Sequence, residues 1–216
     1  MIATARTLDD FAACGGVTAV FKAGSTALGH HWKLFGQNGS ELAHTERVHS
    51  GGKVAQVWWK AVTLTGMDVN NDIHVELVGA DGAALARASS TYTEPTVTVA
   101  DATGRPWGRT RRNDRVVTVS GPDDDALAEF TCDGDSPWPV RSPAGDVLGE
   151  VLAGVPGPSL SPDLWMWLDP QGALNDQAYN QTMHLGLRRV VQYSFAPARR
   201  VQPVLALLPL LCGLSY

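Results

Sequence analysis

The chain has 216 residues, 44% of them apolar, with a formal net charge of −5 and a pI near 5.6. That balance gives no global attraction for nucleic acid, and no linker, charge block or low-complexity segment divides the chain, so it reads as a single domain. Its 22 glycines and 13 prolines demand many turns, and seven tryptophans supply bulk for a core, a combination that favours an all-β architecture.

The opening MIATARTLDDFAACGG meets Asp9 and Asp10 before any apolar run of signal-peptide length develops. No secretion signal is visible, and residues 1–29 are expected to be a lead-in. From residue 30 a local pattern recurs: a short alternating strand, a turn rich in Gly, Asp or Pro, then Leu or Trp followed by Ala or Gly. It is seen in LFGQNGSELA (34–43), VELVGADGAALA (75–86), VTVADATGRPWG (97–108), VTVSGPDDDALA (117–128) and WPVRSPAGDVLG (138–149). The closing Leu or Trp falls at 42, 85, 107, 127 and 148, and the later steps are 22, 20 and 21 residues, one hairpin per turn of the pattern. The first step, 43 residues, leaves room for one more unit, which KVAQVWWKAVTLTG (53–66) fills, and WMWLDPQGAL (165–174) reads as a truncated copy. Met183, Leu185, Leu187, Val190, Val191 and Tyr193 predict one long strand ending at Ala196-Pro197.

The tail Val201–Leu214 (VQPVLALLPLLCGL) is the longest nearly uncharged apolar run. As helix its 14 residues reach about 21 Å, short of a hydrocarbon core of roughly 30 Å, so burial in protein is favoured over a membrane anchor, although Arg199 and Arg200 before it suit an anchor. Pro209 removes an amide from its middle, which predicts a kinked helix or two short turns instead of a straight rod. About a dozen strands in successive hairpins close most simply into a barrel too wide for its own side chains to fill. The tail, apolar all round, is the natural plug. The expected fold is therefore mainly β: a closed antiparallel barrel of about twelve strands over residues 30–196, with a C-terminal hydrophobic helix, residues 197–216, through its centre.

Cys14, Cys132 and Cys212 are odd in number and far apart, and they read as buried reduced thiols of a cytosolic protein. Asp123-Asp124-Asp125 and Asp133-Gly134-Asp135 are turns that lack the spacing of a calcium loop, and the histidines lack zinc spacing, so no metal and no cofactor is expected. No nucleophile elbow, phosphate-cradling glycine loop or helical zinc motif is present, which argues against an enzyme.

With VTVADATGRPWGRTRR (97–112), PWPVRSPAGDVLGEVLAG (137–154) and an apolar segment after the last long strand, the chain resembles the tubby C-terminal-like superfamily. The likeness is to LURP-one-related and phospholipid-scramblase-like proteins, over roughly residues 30–214. The resemblance implies a twelve-stranded barrel around a central hydrophobic helix and a non-enzymatic role at phosphoinositides or membranes. Pro203 and Pro209 depart from it, and no position matches a known phosphoinositide or calcium site.

The densest local feature is GRPWGRTRRNDR (104–115), where Arg105, Arg109, Arg111, Arg112 and Arg115 surround Trp107. Guanidinium groups grip phosphate with paired hydrogen bonds, and an indole suits a membrane interface, so these six residues are the candidate site for an anionic headgroup. The plainer reading is a solvated hairpin whose arginines pair with Asp101 and Asp114. The expected protein is cytoplasmic or peripheral to a membrane, with an anionic phospholipid surface or a protein as partner and no nucleic acid. One alternative is a carbohydrate-binding β-sandwich or jelly roll with Trp58, Trp59, Trp165 and Trp167 stacking on sugars; another is a protein-binding scaffold without a small ligand.

Overall fold

The computed structural model describes residues 11, 14–23, 30–37, 39–48, 73–90, 95–134, 136–153, 188–195 and 202–214. Wherever the two-residue alternation of apolar side chains runs in these segments, a strand forms, twelve in all. In chain order they are β1 (Gly16–Ala23), β2 (His30–Gly36), β3 (Glu41–Arg47), β4 (Ile73–Gly79), β5 (Ala84–Ser90), β6 (Thr96–Asp101), β7 (Pro106–Asn113), β8 (Val116–Ser120), β9 (Ala126–Thr131), β10 (Trp138–Arg141), β11 (Val147–Ala153) and β12 (Arg188–Phe195). Each pairs antiparallel with the next, and β1 pairs with β12 over Gly16↔Ser194 to Lys22↔Arg188, so the sheet closes into a barrel. No pair of open sheets is formed, which sets the sandwich architecture aside. The barrel begins earlier than expected: the supposed lead-in supplies β1, GVTAVFKA. Residues 53–66 and 165–174, expected to add strand material, lie outside the described residues, as do 183–187 of the last long strand.

The repeated hairpin has a structural cause. In β2–β3, β4–β5, β6–β7, β8–β9 and β10–β11 the pairing register slips by one residue, and the extra residue is Leu42, Leu85, Trp107, Leu127 and Leu148 in turn. Every closing Leu or Trp of the sequence pattern is thus the inserted residue of a β-bulge, where two residues oppose one. The bulge turns both that residue and the next toward the interior. Leu42 and Leu85 are buried, while Trp107, Leu127 and Leu148 are half-buried against the core. In an up-and-down sheet these five turns share one end of the barrel, so the five side chains form an apolar collar around that mouth. The residue after each is Ala or Gly, and at Gly108 and Gly149 even a methyl group would collide with the carbonyl oxygens of Ser120 and Ser194.

The tail forms two short helices, α1 (Pro203–Ala206) and α2 (Leu208–Leu214), in place of the straight rod that Pro209 argued against. Leu207 breaks them, with φ −88° and ψ 1°, because Pro209 has no N–H to give the carbonyl of Leu205. All of residues 204–212 are buried. Helix α1 packs against β7, and α2 against β12 and β1, which lie on the opposite side of the strand order. Cys212 shares a small cavity with Val117, Phe130, Trp138, Val151 and Val191, side chains of β8 through β12. No helix among the described residues is long and apolar enough to cross a membrane.

Tyr193 is fully buried on β12, its ring 5.3 Å from that of Phe195, and among the described residues its hydroxyl has no hydrogen-bond partner. Burial pushes its pKa up to about 12. An unfolded tyrosine ionises near 10, so the unfolded chain loses this proton first. The stability tied to the neutral phenol is complete below pH 10 and drains away as pH rises toward 12, by about 2–3 kcal/mol. Tyr193→Phe is expected to fold at least as stably at pH 7 and to lose less stability than the wild type between pH 9 and 12, measured by urea unfolding.

Candidate ligand groove on the outer wall

The arginine-rich segment occupies the β6–β7 turn, β7 and the β7–β8 turn, and the bulge at Trp107 resets which residues face outward. Arg109 and Arg111 project from the outer face, while Gly108 and Thr110, alternating with them, are buried. Trp107 is turned to the core as part of the collar. Arg112 is half-buried, donates from Nε to the carbonyl of Asp114 at 2.9 Å, and lines the cavity that holds Cys212. Burial pushes the Cys212 thiol up, the neighbouring Cys132 adding to the effect and Arg112 opposing it. Cys212 alone of the three free cysteines is fully buried; Cys14 and Cys132 are partly buried against the core, and Cys132 lines the Cys212 cavity.

Arg105 and Arg115 sit in turns at opposite ends of β7, whose eight residues span about 23 Å at ~3.3 Å per residue. Arg115 pairs with Asp133 across to β9, and Arg109 with Asp124 of the β8–β9 turn at 2.9 Å. Among the described residues neither Asp101 nor Asp114 offers its carboxylate to an arginine side chain. Asp101 accepts from the hydroxyl of Thr103 at 2.6 Å, the N–H of Arg105 at 2.9 Å and the N–H of Thr103 at 2.8 Å. Those bonds hold its carboxyl below the usual carboxylate range. The side chains of Arg105 and Arg111 make no hydrogen bond or ion pair among the described residues. The structure therefore brings Arg109 and Arg111 together on one face and sends Arg105, Trp107, Arg112 and Arg115 elsewhere.

Beside Arg109 the outer wall is hollow. Cross-strand pairing runs His74↔Ser89, Ser89↔Thr98 and Thr98↔Arg109, so these four side chains stand in one row across β4, β5, β6 and β7. Three neighbours of the row are small, Ala88, Ala100 and Gly108, and the floor sinks beneath them. The result is a groove of about 730 Å³, within the range of small-molecule sites. Arg87 stands at one side, bonded from Nε to Glu76 at 3.1 Å. The Gly121–Asp124 turn overhangs the other, and Ser89 and Thr98 share a hydrogen bond of 2.7 Å on the floor. Of the groove's polar residues, Arg109 and the Asp123-Asp124 turn stand out in the sequence. His74, Arg87, Ser89 and Thr98 come from three strands, and only the register aligns them.

Among the described residues no group of three or more His, Cys, Asp or Glu side chains is placed to hold a metal ion. The tryptophans proposed for sugar stacking, Trp58, Trp59, Trp165 and Trp167, lie outside the described residues, as do Arg199 and Arg200. Comparison with protein-family models, with curated proteins and with solved structures found no match.

Proposed function

We infer that this barrel is a non-enzymatic, tubby-like and scramblase-like module that binds phospholipid headgroups, with the apolar C-terminal segment threaded through its centre. The observation that carries the reading is the pair Arg109 and Arg111, side by side on the outer face of β7, with Arg109 at the edge of a groove large enough for a headgroup. Closure of twelve strands and complete burial of residues 204–212 support the tubby-like assignment, because a barrel of that width leaves a lumen to fill. On this reading the protein works in the cytoplasm or at a membrane surface, and the groove mouth meets the bilayer.

The test is sedimentation with vesicles of phosphatidylcholine and phosphatidylserine. Each arginine near an anionic surface contributes about 1 kcal/mol, so Arg109→Glu with Arg111→Glu should weaken pelleting roughly thirtyfold or more. Both side chains are exposed, and the thermal midpoint should stay within a few degrees of wild type. Arg112 is left intact in this design because it borders the Cys212 cavity. Pelleting that survives the double substitution would remove the assignment.

A further inference from the structure

The groove is not a uniformly basic cleft. Arg87 and Arg109 line it together with Asp123 and Asp124, two guanidinium groups and two carboxylates, with Arg109 and Asp124 paired at 2.9 Å. A polyanion gains little from so balanced a lining, since long-range attraction needs a net charge. A ligand that carries both signs is matched to it. No Phe, Tyr or Trp lines the groove among the described residues. Quaternary ammonium groups are held mainly by aromatic faces, whereas a primary ammonium donates hydrogen bonds to carboxylates. We propose that the groove binds a phosphate ester bearing a primary ammonium group, the chemistry of phosphoethanolamine. This rests on the headgroup reading above and specifies its ligand.

Binding works by exchange of partners. The Arg109–Asp124 pair spans 2.9 Å, but its side chains are 44% and 63% exposed, so the pair itself is weak and opens readily. The phosphate takes the fork of Arg109 and reaches the hydroxyls of Thr98 and Ser89, which stand next to it in the same row. The ammonium takes the released carboxylate of Asp124 together with Asp123, whose side chain has no partner among the described residues. Both members of the opened pair, Arg109 and Asp124, gain a new partner of opposite charge in the exchange. A lone phosphate would strand Asp124, and a lone amine would strand Arg109.

The test is titration of the ¹⁵N-labelled full chain with phosphoethanolamine, phosphocholine and inorganic phosphate. Amide shifts should centre on Ser89, Thr98, Arg109 and Asp124, with phosphoethanolamine bound about tenfold or more tightly than either other probe, the value of one charge-assisted pair. Asp124→Asn should lower phosphoethanolamine affinity about fivefold or more and leave phosphate binding unchanged or tighter. Equal binding of the three probes, shifts elsewhere on the barrel, or no response to Asp124→Asn would overturn the proposal. Vesicles containing phosphatidylethanolamine separate the sources. Binding of the soluble compound without pelleting upholds the groove's chemistry and removes the membrane. Pelleting that depends on Arg109 and Arg111 with no response to phosphoethanolamine overturns this inference and leaves the headgroup reading standing.

Discussion

Removal of residues 201–216 is expected to yield a chain that neither unfolds cooperatively nor stays soluble. Val204, Leu205, Leu207, Leu208, Leu210 and Leu211 are each no more than 6% exposed, and each such side chain contributes about 1.5–3 kcal/mol by its burial. Six of them together are worth roughly as much as the whole stability of an ordinary domain, about 5–15 kcal/mol. Their loss also uncovers the buried strand side chains that share one core cluster with them. A graded variant keeps the claim measurable: Leu211→Ala should cost about 2–5 kcal/mol in urea unfolding, the usual range for a buried leucine. A truncated chain that remained monomeric with a sharp transition would mean that the strands fill their own interior.

The second large effect belongs to the collar. A Cβ at Gly108 would lie 2.2 Å from the carbonyl oxygen of Ser120, and φ there is 147°; at Gly149 it would lie 2.3 Å from the oxygen of Ser194 and 2.8 Å from the Tyr193 ring. In both places the obstacle is backbone of the next strand, which cannot rotate away. Gly108→Ala and Gly149→Ala are each expected to destabilise by about 2–4 kcal/mol, through overpacking at both and backbone strain at Gly108. Gly104 is the control. It has φ 91° but nothing within 4 Å of a built Cβ, so Gly104→Ala should cost only about 1 kcal/mol. Equal losses at all three positions, by thermal and urea unfolding, would show that the bulges tolerate a side chain.

Much of the barrel is legible in the sequence because hairpins are local. Turn residues such as Asn38-Gly39 and Asp81-Gly82 stand between alternating runs, and the spacing of Leu85, Trp107, Leu127 and Leu148 announces a repeating unit. What the repeat means is not legible. A Leu followed by Ala looks the same whether the strand alternates through it or bulges at it, and only the pairing register distinguishes the two. The same slip explains the arginines. Counting by twos from Arg105 puts Trp107 with Arg109 and Arg111 on one face, but the bulge at Trp107 turns the indole inward and separates it from them. The groove is hidden for a further reason: His74, Ser89 and Thr98 become neighbours of Arg109 through pairing between strands, and nothing in their sequence spacing anticipates it. The tail divides the same way. Its burial follows from composition, and the break at Leu207 follows from Pro209, but the strands it would touch could not be named.

The seam between β1 and β12 brings Gly16 against Ser194, among the widest sequence separations in the molecule. During synthesis the hairpins can zip one after another as they leave the ribosome, yet the ring stays open until nearly the last strand has emerged. Until then β1 presents an unpaired edge, which invites pairing with another nascent chain. A contact of such high order also slows the final step, since distant segments must meet before closure is rewarded. Refolding should accordingly be slow and sensitive to protein concentration, with the amides of Val17 to Val20 among the last to gain protection from hydrogen exchange.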